Sequence, residues 1–213
     1  GARIYYVIFE WDYYKENLLQ IFNLRAGGLA IYGGVIAGAI TMIVYTRVKK
    51  VSFFSMADTG VLGLVTGQII GRWGNFFNCE AFGGYTDSLL AMRIRRSLVN
   101  DNMLNADVLS HKIVENGVEF IQVHPTFLYE SCWNLCLLIF MLWFRKYKKY
   151  DGQMFWIYLL GYGTGRFWIE SLRTDQLILF GTGLPVSQAL SLVLILVAAG
   201  NLIWRGRKNR QAA

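Results

Sequence analysis

The sequence predicts an all-α polytopic membrane protein, with about five transmembrane helices and a small mixed extracytoplasmic head between the second and third. Three observations carry this. Of 213 residues, 54% are hydrophobic and 16% are charged, where a soluble domain carries roughly 25% charged residues. Five apolar stretches reach the roughly 20 residues that a bilayer core requires. Of the 21 Lys and Arg, 11 fall in three clusters, each directly after an apolar stretch. That placement is the positive-inside pattern of membrane proteins. It accounts for the net charge of +7 without a nucleic-acid partner, which would need a basic face on a soluble domain.

The apolar stretches run over residues 26–48, 53–78, 125–144, 153–172 and 184–204. The basic clusters are Arg47, Lys49 and Lys50, then Arg145, Lys146, Lys148 and Lys149, then Arg205, Arg207, Lys208 and Arg210. With all three in the cytoplasm the five stretches alternate, and 1–25, 80–124 and 173–183 fall outside. The whole chain, 1–213, then reads as one transmembrane domain with 80–124 inserted as its head. That insertion mixes polar and apolar residues and ends in a predicted strand at 118–123. Pro125 suits the first turn of the next helix, where its missing N–H costs nothing.

The chain opens on Gly1, and no charged leader with a short apolar core is visible. Gly60, Gly63, Gly67, Gly71 and Gly74 share one face of the second stretch, and Gly34 and Gly38 repeat the spacing in the first. Small residues so placed predict close helix packing. Cys79, Cys132 and Cys136 show no metal-ligand spacing, so no metal and no cofactor is expected.

Charges inside apolar stretches are the informative residues, because each costs about 2.5–3.5 kcal/mol on insertion scales. In the fourth stretch Tyr162, Arg166, Glu170 and Arg173 recur at helical spacing and form one polar stripe. An Arg166–Glu170 pair that only joins helices is the plainer alternative. The second stretch ends in GRWGNFFNCEAFG, with Arg72, Asn75, Asn78 and Glu80 among glycines. The third opens with HPTFLYE, which sets His124 at the interface and Tyr129 and Glu130 just inside. The first holds Tyr32 within GGLAIYGG. His111 reads as a plain head residue. Two arginines at one depth suggest an anion, since arginine stays charged and binds phosphate bidentately.

Taken together, these stretches resemble the prolipoprotein diacylglyceryl transferase family. GRWGNFFNCEAFG, residues 71–83, fits the family signature at every fixed position. HPTFLYE, YGTGRFWIESLRTD, GARIYYVIF and GGLAIYGG resemble four further family blocks. The resemblance implies transfer of diacylglycerol from phosphatidylglycerol to the lipobox cysteine of a prolipoprotein. The reaction forms a thioether and releases glycerol phosphate at the outer side of the bacterial cytoplasmic (inner) membrane. It implies functional roles for Arg72, Arg166, Asn75, Glu80, Tyr162, Glu170, Tyr129 and Glu130. Tyr32 stands where the family often has a histidine, and the family's chains begin with one or two more helices.

On this reading Arg72 and Arg166 stabilise the leaving phosphate, with Glu80 and Glu170 holding the two guanidiniums. Tyr32, Tyr162, Glu130 and His124 are the candidate bases. Asn75, Asn78, Tyr129, His124 and Arg173 complete the substrate contacts. A transporter or channel for an anionic solute is the alternative.

Overall fold

The computed structural model describes residues 1–174, 176, 178 and 183–211, without the side chains of 26 and 209–211. Most of the 173–183 connection, Asp175 and the Arg210 side chain therefore lie outside the described residues. The chain divides into two compact units, 1–56 and 57–213.

In the first unit, α1 (Ala2–Phe9) and α2 (Trp11–Tyr14) precede 3-10 turns at Leu18–Phe22 and Leu24–Ala26. Gly27 and Gly28 then take positive φ, and α3 runs over Ile31–Lys49. Those two left-handed residues explain why the helix starts at 31 rather than 26. Arg3 braces the loop by donating to the backbone carbonyls of Gln20, Ile21, Asn23, Gly27 and Gly28. Its cation also lies 5.1 Å from the Tyr14 ring centre.

α4 (Phe53–Phe77) leads into the second unit, followed by α6 (Thr126–Phe144), α7 (Gln153–Glu170) and α8 (Val186–Gln211). Between α4 and α6 lie β1 (Met92–Arg95), α5 (Ala106–Ser110), β2 (Ile113–Glu115) and β3 (Val118–Val123). The strands form one antiparallel sheet in the order β1-β3-β2. Asn116 and Gly117 have φ of 52° and 76°, the twin left-handed residues of a tight hairpin turn. Phe82, Ile94, Val99, Val108, Ile121 and Val123 close a small core there.

Among the described residues four helices, α3, α4, α6 and α8, are long and apolar enough to cross a membrane. α7 has 18 residues but carries Arg166, Glu170 and several glycines, so it falls short of them in hydropathy. Large apolar side chains point outward along these helices: Ile70 is 67% exposed, Ile139 59% and Leu196 63%. Apolar exposure on this scale marks lipid rather than water as the solvent.

Asp58, Val61, Val65, Gln68 and Arg72 recur along α4 at three- and four-residue steps, and this stripe packs inward. Val61 and Val65 join Leu137 and Met141 of α6 and Met154 and Tyr158 of α7 in one core. The α4 glycines lie on a different face. A Cβ added at Gly60, Gly63, Gly67, Gly71 or Gly74 would meet no described atom within 4 Å. Close glycine contact is seen at α3, where a Cβ on Gly33 would come 2.4 Å from Tyr5, and at α7, where one on Gly161 would come 2.4 Å from Leu137 and one on Gly165 2.2 Å from Trp133. The α4 stripe meets side chains rather than backbone, so it has no need of glycine.

Candidate functional site

Arg72 in the last two turns of α4 and Arg166 in the last turns of α7 meet at a residue of α6. Arg72 Nη2 lies 2.6 Å from Glu130 Oε2, and Arg166 Nη1 lies 2.7 Å from Glu130 Oε1. Each carboxylate oxygen thus faces one guanidinium, from two different helices. Arg166 Nη2 is 2.7 Å from Glu170 Oε2 one turn on, and Arg173 Nη1 is 3.9 Å from the same oxygen. The Arg166–Glu170 contact is an ion pair off the linear alignment of a hydrogen bond, as Glu170 Oε2 lacks an aligned donor among the described residues. The cluster is largely sealed: Glu130 and Glu170 side chains are 5% and 4% exposed, Arg166 14% and Arg72 21%.

Arg72 Nη1 also reaches Asn75 Oδ1 at 3.5 Å. The amides of Asn75 and Asn78 each donate to Glu80 Oε1 at 3.1 Å. Glu80 therefore communicates with Arg72 through Asn75. The direct Glu80–Arg72 grip expected from the sequence is replaced by this relay, because Glu80 lies past the end of α4. Glu170 does hold Arg166 as expected. Glu130, one of four candidate bases, has each oxygen set against a guanidinium, by a hydrogen bond from Arg166 and an ion pair with Arg72, and so anchors the pair.

The neighbouring loop is fixed by backbone contacts. Gly83 N–H donates to His124 O, His124 N–H to Gly84 O, and Gly84 N–H to Leu172 O, at 2.9–3.0 Å. Gly83 also bridges Arg173. A Cβ on Gly83 would come 2.7 Å from His124 Cβ and 2.8 Å from Leu172 O, so only glycine fits. His124 Nδ1 lies 3.2 Å from the Tyr129 hydroxyl, and burial pushes the imidazole pKa below its usual 6.5. The Tyr129 ring stacks toward Trp168 at 6.4 Å.

Tyr162 stands apart from the ion cluster in its contacts: it stacks on Tyr158 with ring centres 5.6 Å apart. The Tyr158 hydroxyl accepts from Gln68 Nε2 at 2.8 Å. Tyr32 belongs to the other unit, where it is 64% exposed at the start of α3. A cavity of about 350 Å³ also lies in that unit, lined by Arg3, Tyr6, Glu10, Tyr13, Tyr14 and Gln20. Its one arginine is spent on loop carbonyls, and it shares no residue with the ion cluster. Among the described residues no cluster of three or more His, Cys, Asp or Glu is placed to hold a metal ion.

Asp58 and Gln68 belong to the functional residues that motif spacing alone does not single out. Both are polar residues inside an apolar helix, so the rule that singled out Arg72 would have found them. Trp133, which fills the space beside Gly165 and donates to Gly161 O at 2.9 Å, carried no sequence signal beyond apolarity.

Residues 1–204 match the family model described as prolipoprotein diacylglyceryl transferase. Among curated proteins the chain is similar to the phosphatidylglycerol–prolipoprotein diacylglyceryl transferase of Clostridioides difficile (strain 630). The two are 44% identical over 209 residues, which cover 98% of this chain and 74% of the relative. The equivalent protein of Lysinibacillus sphaericus (strain C3-41) is 42% identical, covering 99% and 73%. That of Listeria monocytogenes serovar 1/2a is 44% identical, covering 98% and 70%.

Proposed function

The chain belongs to the prolipoprotein diacylglyceryl transferase family, and on that premise we propose that it moves the diacylglyceryl group of phosphatidylglycerol onto the lipobox cysteine of a prolipoprotein. The observation that carries the site assignment is the convergence of Arg72 and Arg166 on the two oxygens of one carboxylate. Two guanidiniums so set can share one oxyanion. Their described contacts engage only Nη1 and Nη2, while each guanidinium carries five N–H donors. Nε and the outer hydrogens are left for phosphate oxygens.

The reaction forms a bond from the cysteine sulfur to the glyceryl carbon that bears the phosphate ester. The carbon–oxygen bond to phosphate breaks, and glycerol phosphate leaves with the electron pair. The thiol proton goes to a base, because the thiolate is the attacking species. Charge moves onto the departing phosphate, and fixed guanidiniums beside it in a site poor in water lower the barrier. Glu130 and Glu170 hold the forks in place. Asn75, Asn78 and Glu80 shape the mouth next to Arg72. His124, beside the Tyr129 hydroxyl and with its pKa lowered by burial, is the candidate base best supported by its surroundings. Tyr32 and Tyr162 enter through the family resemblance alone.

Phosphatidylglycerol, the lipobox peptide and surrounding membrane lipids are the partners in this reading. The chain resides in the bacterial cytoplasmic membrane. Residues 80–124 form its outer head, and the arginine pair lies at outer-leaflet depth. The relatives carry a transferase name, which favours group transfer over anion transport.

The test uses membranes holding the protein, labelled phosphatidylglycerol and a lipobox peptide. A thioether-linked diacylglyceryl peptide is expected with cysteine in the lipobox and absent with serine. Arg72→Ala and Arg166→Ala are each expected to abolish it while still inserting. Absence of product from the parent protein, or full activity in either alanine variant, overturns the assignment.

A further inference from the structure

Asp58 is a buried carboxylate, 5% exposed, one turn and a half into α4. Among the described residues its oxygens bind no group of its own helix. Oδ2 accepts the Gly152 N–H at 2.8 Å and Oδ1 accepts the Phe155 N–H at 2.9 Å. Gly152 is the N-cap residue of α7, and the helix has no side-chain cap of its own. In a capping box two side chains of one helix satisfy the N-cap and third-position N–H groups. Here one carboxylate from another helix satisfies both. Its charge also faces the positive end of the α7 dipole. Lys148 Nζ closes the contact, 2.9 Å from Asp58 Oδ2 and 2.9 Å from Asp151 Oδ1.

The contact fixes a register. Fourteen residues separate Asp58 from Arg72, and fourteen separate Gly152 from Arg166. At 1.5 Å per residue both spans rise about 21 Å. α4 and α7 run in the same direction, since Asp58 meets the start of α7, Gln68 meets Tyr158, and Arg72 and Arg166 meet at Glu130. The two helices are thus pinned level at one end, and their guanidiniums arrive level at the other. A slip of α7 by one residue along its axis would shift Arg166 by about 1.5 Å.

We propose that Asp58 is a positioning residue, a cap supplied across helices that sets the axial register at which Arg72 and Arg166 share one oxyanion. The inference rests on the transferase reading for its catalytic consequence, but the register is measurable without it. Misplacement of a catalytic group by about 1 Å costs on the order of a hundredfold in rate.

The experiment compares the parent protein with Asp58→Ala and Asp58→Asn in two assays. In the first, kcat/KM for phosphatidylglycerol is expected to fall about a hundredfold in Asp58→Ala. Asp58→Asn should be intermediate, because its amide oxygen accepts one N–H rather than two, and KM for the lipobox peptide should stay at the parent value. A merely structural loss would lower the amount of folded enzyme and leave both KM values alone. In the second, Gln68→Cys and Tyr158→Cys are joined by a short bifunctional thiol reagent, with Cys79, Cys132 and Cys136 changed to serine. The yield of the joined product is expected to drop at least about threefold with Asp58→Asn, as α7 leaves its register.

Parent-like lipid kinetics in Asp58→Asn, or an unchanged yield, overturns the proposal. Where Asp58→Ala fails to fold, the asparagine variant decides. Where the parent itself forms no thioether, the transferase reading fails and the joining yield alone decides the register.

Discussion

Arg72 and Arg166 were legible because a charge in an apolar run must have a purpose, and arginine narrows that purpose to a planar, permanent cation. Lysine supplies one ammonium in place of the fork, so Arg72→Lys and Arg166→Lys should insert, fold and lose the thioether product. Near-parental product from either would remove the shared-oxyanion role. What joins them was not legible, since no spacing rule tells which carboxylate on another helix will face two guanidiniums. Glu130→Gln should therefore act on stability more than a lone surface change. Breaking a buried ion cluster costs about 3–5 kcal/mol, to be read as a lower thermal midpoint in detergent. Gly83→Ala drives a methyl against His124 and the Leu172 carbonyl, where the backbone has nowhere to go. About 1–3 kcal/mol of destabilisation is expected from such overpacking. His124 gives a pH signature. Burial holds its pKa below 6.5, so the unfolded chain binds its proton first as pH falls. Stability is full above about 6.5 and declines below it, through the lowered pKa. His124→Gln should flatten that decline in melting curves taken from about pH 5 to 7.5.

At the scale of elements, hydropathy located the long helices to within a few residues at most ends, and β3 falls where alternation and the following proline set it. The other strands were missed for reasons of length. β1 and β2 have four and three residues, too few for a periodic signal, although the Asn116–Gly117 pair announces the hairpin that creates β2. The glycines show the limit of spacing arguments. α4 and α7 carry similar small-residue steps, yet of these two only α7 uses them for contact among the described residues. Gly165→Ala should destabilise more than Gly161→Ala. The first meets an indole fixed by its own hydrogen bond, and the second only a leucine tip that can move. Gly63→Ala meets nothing within 4 Å and should be neutral or stabilising by about 0.5–1 kcal/mol. Thermal unfolding of the three variants side by side checks the order.

For the molecule as a whole, the three basic clusters predict sidedness. An impermeant thiol reagent should label Lys112→Cys in intact cells, and Lys149→Cys only after the membrane is opened, with the native cysteines changed to serine. Reversed labelling would turn the protein over and put the arginine pair on the wrong face for its lipid. The ion cluster has a further meaning for how such a chain is made. The cation at position 72 leaves the ribosome 58 residues ahead of Glu130, the carboxylate that neutralises it. At roughly 5–20 residues per second that is a wait of about 3–12 s. During it, α4 carries an uncompensated charge that hydrocarbon does not welcome. Its residence in the bilayer is provisional until the chain has turned back through the membrane. Completing the site and committing the helix to lipid are then a single event.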